Sequence, residues 1–167
     1  MIKDITLKSC IEFAVATEDI GAKFYGQLAK KFAGTPEIPE LFTQLGKDEE
    51  AHERQFSELL RQLPEEKAAP GSPENSDYVR AMSVSEFFSR DKGPFANIDK
   101  IENCNDALEK VFGFEKATLG FYTAVRDMIG SNPILNQVIE AEKRHVTRLM
   151  KVMIADATFR SLEDEWP

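Results

Sequence analysis

The only two histidines of this 167-residue chain each stand three residues after a glutamate, in Glu49-x-x-His52 and Glu142-x-x-His145. On an α-helix that spacing sets carboxylate and imidazole about 60° apart and one turn along, so that both can hold one metal ion from the same face. Two such pairs facing each other, completed by one glutamate from each of two further helices, make a six-ligand site for two metal ions inside a helix bundle. A chain that commits both histidines to this pattern must bring two helices together at those positions. The rest of the sequence reads as the frame that does so.

The first helix is expected to start near Thr6, as N-cap, and to run to about Phe32. Leu7, Ile11, Ala14, Val15, Ala22, Tyr25 and Leu28 recur at three- and four-residue steps and form one apolar face, with Glu18 in its middle. An acid on an apolar face is the informative exception. Thr35-Pro36 reads as N-cap and first helical residue of a second helix, which carries Leu41, Phe42, Leu45, Glu49, His52, Phe56 and Leu59 to about Leu63. A third helix is expected from about Asp106 to Ile129, capped by Asn103 or Asn105 and ended by Gly130, with Glu115 on its inner face among Leu108, Val111, Leu119 and Tyr122. Asn132-Pro133 opens a fourth, which carries Leu135, Val138, Ile139, Glu142, His145 and Leu149.

The reading is all-α and one domain over residues 1–167: a helical hairpin at 6–63, a long crossover at 64–104, a second hairpin at 105–155 and an acidic tail at 156–167. The crossover begins with exposed-loop residues around Pro64, Pro70 and Pro73, then holds Tyr78, Val79, Met82, Val84, Phe87 and Phe88 in one or two short helical pieces, with Ser83-x-x-Glu86 as a capping box. A connection of this length inside a compact domain is expected to have a job, here to traverse the bundle. The tail is expected to pack on the bundle or to act as a docking peptide.

Net charge is −8, which argues against a nucleic-acid partner, since phosphate binding needs basic surface. Part of that charge can be internal: four carboxylates and two neutral imidazoles around two divalent ions sum to zero. No apolar run reaches the roughly 18 residues of a membrane span. The amino end lacks a signal-peptide pattern, so a cytoplasmic protein is expected. Cys10 and Cys104 are isolated, with no Cys-x-x-Cys, which excludes a four-cysteine iron or zinc module within the chain; both are expected reduced and buried.

The two hairpins repeat. Glu12 and Glu109, Glu18 and Glu115, Phe24 and Phe121, Tyr25 and Tyr122, and Pro36 and Pro133 are each separated by 97 residues, whereas Glu49 and Glu142, and His52 and His145, are separated by 93. The difference is about one helical turn and is read as lengthening a helix without moving the motif off its face. Two related hairpins pack as a pseudo-twofold four-helix bundle that sets Glu18 against Glu115 and one Glu-x-x-His pair against the other. Glu50 lies about 100° round the helix from Glu49 and is read as solvated, as are Glu12 and Glu109. Tyr25 and Tyr122 share the azimuth of Glu18 and Glu115. A buried tyrosine needs a hydroxyl partner, which is either one of these carboxylates, giving it an orienting or electron-donating role, or a group elsewhere in the core. Asp48 could accept the outer ring N–H of a histidine from the opposite hairpin; its repeat mate, Ala141, could not.

Glu18 six residues before Phe24-Tyr25, then Glu49-x-x-His52, then Glu115, Phe121-Tyr122 and Glu142-x-x-His145, resembles the rubrerythrin-like branch of the ferritin superfamily. The resemblance implies a ferritin-like four-helix bundle with one long crossover and two iron ions per chain, manganese or zinc being compatible with the same donors. It implies Glu18 and Glu115 as terminal carboxylates, Glu49 and Glu142 as bridges, and His52 and His145 as one imidazole per ion. Rubrerythrins proper add a rubredoxin iron site, which this chain has no cysteines for, and an extra carboxylate where it has Thr118. The ligand set is closer to that of bacterioferritin. The function implied is a di-iron oxidoreductase that reduces peroxide or O₂ with electrons from a separate donor protein, assembled as a homodimer or higher homo-oligomer. The alternatives are a ferroxidase or iron-storage protein and a redox-silent bundle with structural metal.

Overall fold

The computed structural model of the chain describes residues 7–63, 87 and 93–164. Apolar residues at helical spacing give four long helices: α1 (Leu7–Lys31), α2 (Ile38–Gln62), α3 (Cys104–Ile129) and α4 (Pro133–Asp164). No strand occurs among the described residues, and none of their helices is long and apolar enough to cross a membrane. α1 packs along α2 and α3 along α4, while α1–α3 and α2–α4 are the looser contacts between hairpins. One continuous core joins them, including Ile11, Phe24, Leu28, Phe42, Phe56, Phe121, Leu135 and Leu149. Glu12, Glu50 and Glu109 are exposed.

The ends of the helices follow local chemistry, with two corrections. Asn103 caps α3 by accepting from the Asp106 N–H at 3.0 Å, and Gly130 closes it at φ 89, a conformation that disfavours a Cβ. Asn132 Oδ1 accepts from the N–H groups of Ile134 and Leu135 at the start of α4. The second helix, expected to open at Thr35-Pro36, instead starts at Ile38. The Pro36 carbonyl accepts from Ile38 N–H and the Thr35 N–H bonds back to Phe32, so these residues form a turn. Pro39 takes the first-turn position, where a missing N–H costs nothing. The first inter-helix turn therefore holds residues 32–37 and the second only 130–132. Most of the four-residue offset between the halves sits in this turn and not in a lengthened helix.

The expected tail is also revised. α4 continues to Asp164, because neither glycine nor proline interrupts the sequence before Pro167. Thr6, the proposed first cap, and residues 64–86, with the short helical pieces and capping box expected there, lie outside the described residues. At the far end of the crossover a 3₁₀ turn (Ile98–Lys100) is tied to α1 by Lys31 Nζ, which donates to the carbonyls of Ile98 and Asp99. Cys104 Sγ lies 3.8 Å from Thr35 Oγ1, so α3 begins beside the α1–α2 turn. α2 ends about 37 Å away at 1.5 Å per residue, so Leu63 and Cys104 stand at opposite ends of the bundle. Cys10 is buried, its thiol pushed up to about 12 by that burial, whereas Cys104 is only half-buried; neither is in a disulfide.

Candidate metal centre

The four helices converge on one buried polar layer. α1 supplies Glu18 and Tyr25, α2 Glu49 and His52, α3 Glu115, Thr118 and Tyr122, and α4 Glu142 and His145. All six residues picked out as ligands are buried; the most exposed of them, His52, shows 6% of its surface. They form two overlapping groups, Glu18–Glu49–His52–Glu142 and Glu49–Glu115–Glu142–His145, in each of which the donor atoms lie within 4.8 Å of one another. Glu49 and Glu142 belong to both. The two imidazole rings stack with centroids 5.6 Å apart.

Each histidine turns Nδ1 inward. His52 Nδ1 is 3.3 Å from Glu142 and 3.4 Å from both Glu18 and Glu49. His145 Nδ1 is 3.2 Å from Glu115 and 3.6 Å from Glu49, and its Nε2 is 3.3 Å from Asp48 on α2. The tyrosines cross between hairpins: Tyr25 donates to Glu115 and Tyr122 to Glu18. Burial, and then the charge of the carboxylate each one faces, pushes both phenols well above their usual range, so they remain donors. Of the two readings open for these tyrosines, the carboxylate partner is the one observed.

Two neighbours of the cluster have roles that the sequence analysis does not assign. The Thr118 hydroxyl lies 2.7 Å from Glu142 Oε2 and 2.9 Å from the Glu115 carbonyl. Its repeat mate is Gly21, where a Cβ would come within 3.2 Å of both Glu49 Cγ and the Phe114 ring. The signal was available, since both stand three residues after a ligand-type glutamate, on the same face.

The charge balance of the protein alone is strained. Burial, reinforced by the charges of Glu18 and Glu142, raises Glu49 well above the usual carboxylate range. Burial likewise lifts Glu142 to about 8 and Glu115 to about 7. For Glu18 burial opposes ionisation, but polar contacts with Glu49 and His52 outweigh it and its pKa is lowered. His52 is raised to about 10, burial being overcome by Glu142 and Glu18, while burial lowers His145. Four buried atoms, Glu18 Oε2, Glu49 Oε1, His52 Nδ1 and Glu142 Oε1, have no hydrogen-bond partner among the described residues. Such orphaned polar atoms are costly unless something satisfies them, and for the carboxylate oxygens that something is cationic. All four face the cluster, so an oxygen- and nitrogen-coordinated divalent cation fits it.

The layer is sealed on one side and open on the other. Between α1 and α3, Phe24, Phe87, Phe114 and Phe121 interlock edge to face at 5.5–5.9 Å. Between α2 and α4 the small residues Ala51 and Ala141 leave an open groove of about 790 Å³, whose floor reaches His52 and His145 and whose walls include Asp48 and Arg144.

The sequence model of the rubrerythrin family matches residues 10–153. A crystal structure from Thermotoga maritima, described as that of a candidate ferritin-like diiron-carboxylate protein, superposes with a TM-score of 0.64 at 18% identity, covering 90% of this chain and 95% of that one. The bundle is thus of the ferritin-like kind. No curated protein matches the chain.

Proposed function

The chain belongs to the rubrerythrin family, and we propose that it is a di-iron oxidoreductase that reduces hydrogen peroxide or O₂ with electrons from a separate donor protein. The observation that carries this reading is the pair of overlapping donor groups sharing Glu49 and Glu142, with four buried polar atoms inside them left without a hydrogen-bond partner among the described residues. In this reading Glu18 and His52 would hold one ion and Glu115 and His145 the other, with Glu49 and Glu142 shared between the two groups. When bound, a pair of Fe(II) ions supplies the two electrons that, with two protons, convert H₂O₂ to two waters or O₂ to H₂O₂.

The chain's own residues prepare that reaction. Burial favours the protonated forms of Glu49, Glu115 and Glu142 in the metal-free protein, and a bound metal would displace those protons and keep the buried layer near neutrality. Tyr25 and Tyr122 anchor Glu115 and Glu18 by one oxygen and leave the other free to face the ion. Thr118 does the same for Glu142. The phenylalanines keep water from the α1–α3 side, and the groove on the α2–α4 side admits a small oxidant.

The test is an anaerobic Fe(II) titration of metal-free protein, then exposure of separate aliquots to O₂ and to H₂O₂. Saturation at two irons per chain with rapid oxidation by either oxidant is expected. Uptake that continues far beyond two after oxidation would mean storage, and bound metal that never changes oxidation state would mean a structural role.

A further inference from the structure

The repeat leaves one position unmatched at the rim of the cluster. Asp48 precedes Glu49, and its counterpart before Glu142 is Ala141. The Asp48 side chain stands at the groove, 37% exposed, with Oδ2 3.3 Å from Nε2 of His145 on the opposite hairpin. Its other oxygen, Oδ1, accepts from Gln44 Nε2 at 2.9 Å, so the carboxylate is itself held in position. A neutral imidazole carries one ring proton. An acceptor at Nε2 keeps that proton on the outer nitrogen and leaves the Nδ1 lone pair directed at Glu115 and Glu49.

Among the described residues His52 has no equivalent support. All its carboxylate contacts, to Glu18, Glu49 and Glu142, run through Nδ1. Where a matching aspartate would stand, Ala141 lines the groove with a methyl group. The inward donors of the two halves are the same, and the outer partner of the imidazole is present in one alone.

We infer that Asp48 is a positioning residue that makes the two halves of the centre unequal: it holds His145 in the metal-binding tautomer and orientation, so that the Glu115–His145 half takes up its metal ahead of the Glu18–His52 half. The inference rests on the two-metal reading above. Fixing the outer nitrogen of a ligand histidine changes metal affinity by about 10- to 100-fold. Fixing one ring only therefore separates two otherwise matched sites.

Zinc tests this without any redox activity. Metal-free protein is titrated with Zn²⁺ by calorimetry, and the imidazole N–H protons of the zinc-loaded protein are followed by NMR in ¹⁵N-histidine-labelled samples. The expected wild-type result is two zinc ions bound in two resolved steps, with one downfield, slowly exchanging Nε2–H. Asp48→Ala should weaken the tighter step by about 10- to 100-fold, leave the other unchanged and abolish the slow Nε2–H. Asp48→Asn keeps an acceptor oxygen and should retain both the resonance and most of the affinity. Ala141→Asp should add a second slow Nε2–H and tighten the weaker step. Two zinc ions bound alike by wild type and Asp48→Ala, with the same N–H spectrum, would overturn the inference alone. Fewer than two zinc ions on the wild type would overturn the two-metal reading and the inference with it.

Discussion

The hairpins α1–α2 and α3–α4 carry the same three donors each, yet surround them differently. Glu142 has the Thr118 hydroxyl at 2.7 Å, whereas Glu49 has the bare backbone of Gly21 beside its Cγ. His145 has Asp48 behind it, and the corresponding neighbour for His52 is Ala141. In the metal-free protein the halves also differ in charge: Glu18 and His52 are driven toward an ion pair, Glu115 and His145 toward a neutral one. The repeat therefore preserves the converging donors and lets the supporting contacts diverge. Two sites drawn from one plan need not be alike.

The largest expected effect separates shared from unshared donors. Glu142→Ala or Glu49→Ala removes a carboxylate from both groups and should reduce bound metal below one per chain, whereas Glu18→Ala touches one group and should leave about one ion bound. Metal analysis after dialysis reads the difference directly. Equal losses in all three variants would show that the two groups are not separate sites.

The pH dependence of the metal-free protein comes next. Glu115, raised to about 7, and Glu142, raised to about 8, contribute stability that is complete below the unfolded carboxylate value and lost as pH climbs through those folded values. His52, raised to about 10, contributes in the same sense, losing its share as pH rises toward that value. Glu18, lowered, works the other way, and its contribution disappears as pH falls through its folded value. Melting temperature of metal-free protein should thus fall from about pH 6 to about pH 9, while the loaded protein, whose carboxylates are already ionised by the metal, should be spared this alkaline loss. A metal-free melting temperature that rose over the same range would contradict the raised values of Glu115, Glu142 and His52 in both halves.

A smaller effect probes the Gly21–Thr118 pair. Thr118→Ala leaves Glu142 Oε2 without its donor, at a cost of about 1–3 kcal/mol. Gly21→Ala forces a methyl against Glu49 and Phe114, with an overpacking cost of about 1–3 kcal/mol that the roughly 1 kcal/mol gain in helix propensity only partly offsets. Urea midpoints of the two variants check both. A stabilised Gly21→Ala protein would mean that Glu49 can move aside, and that the two halves tolerate the same neighbour.

The helices were legible because their signals are local. Apolar residues at three- and four-residue steps, Asn103 and Asn132 as caps and Gly130 as terminator act within one or two turns of chain, and each does so in the folded protein. Where two local signals competed, at Pro36 and Pro39, pattern alone chose the wrong one, because the turn hydrogen bonds of Thr35 and Ile38 decide which proline sits inside the helix. The six donor residues were legible through the repeat, which singled out Glu18 and Glu115 from the other buried-face positions. Thr118 reads in the sequence only as the place of a missing carboxylate, and no side chain marks Gly21.

By itself, then, the sequence determined four amphipathic helices, their pairing into related hairpins, and the residues that meet in the middle, because periodicity and spacing set the face on which each side chain lies. Only the tertiary structure decided which carboxylate each tyrosine holds, that Asp48 reaches His145, that Thr118 braces Glu142, and that one side of the layer is closed by phenylalanines while the other opens between two alanines. Those contacts join helices of different hairpins, and their reach depends on how closely the helices approach and which rotamers fit, quantities that no spacing along a single helix encodes.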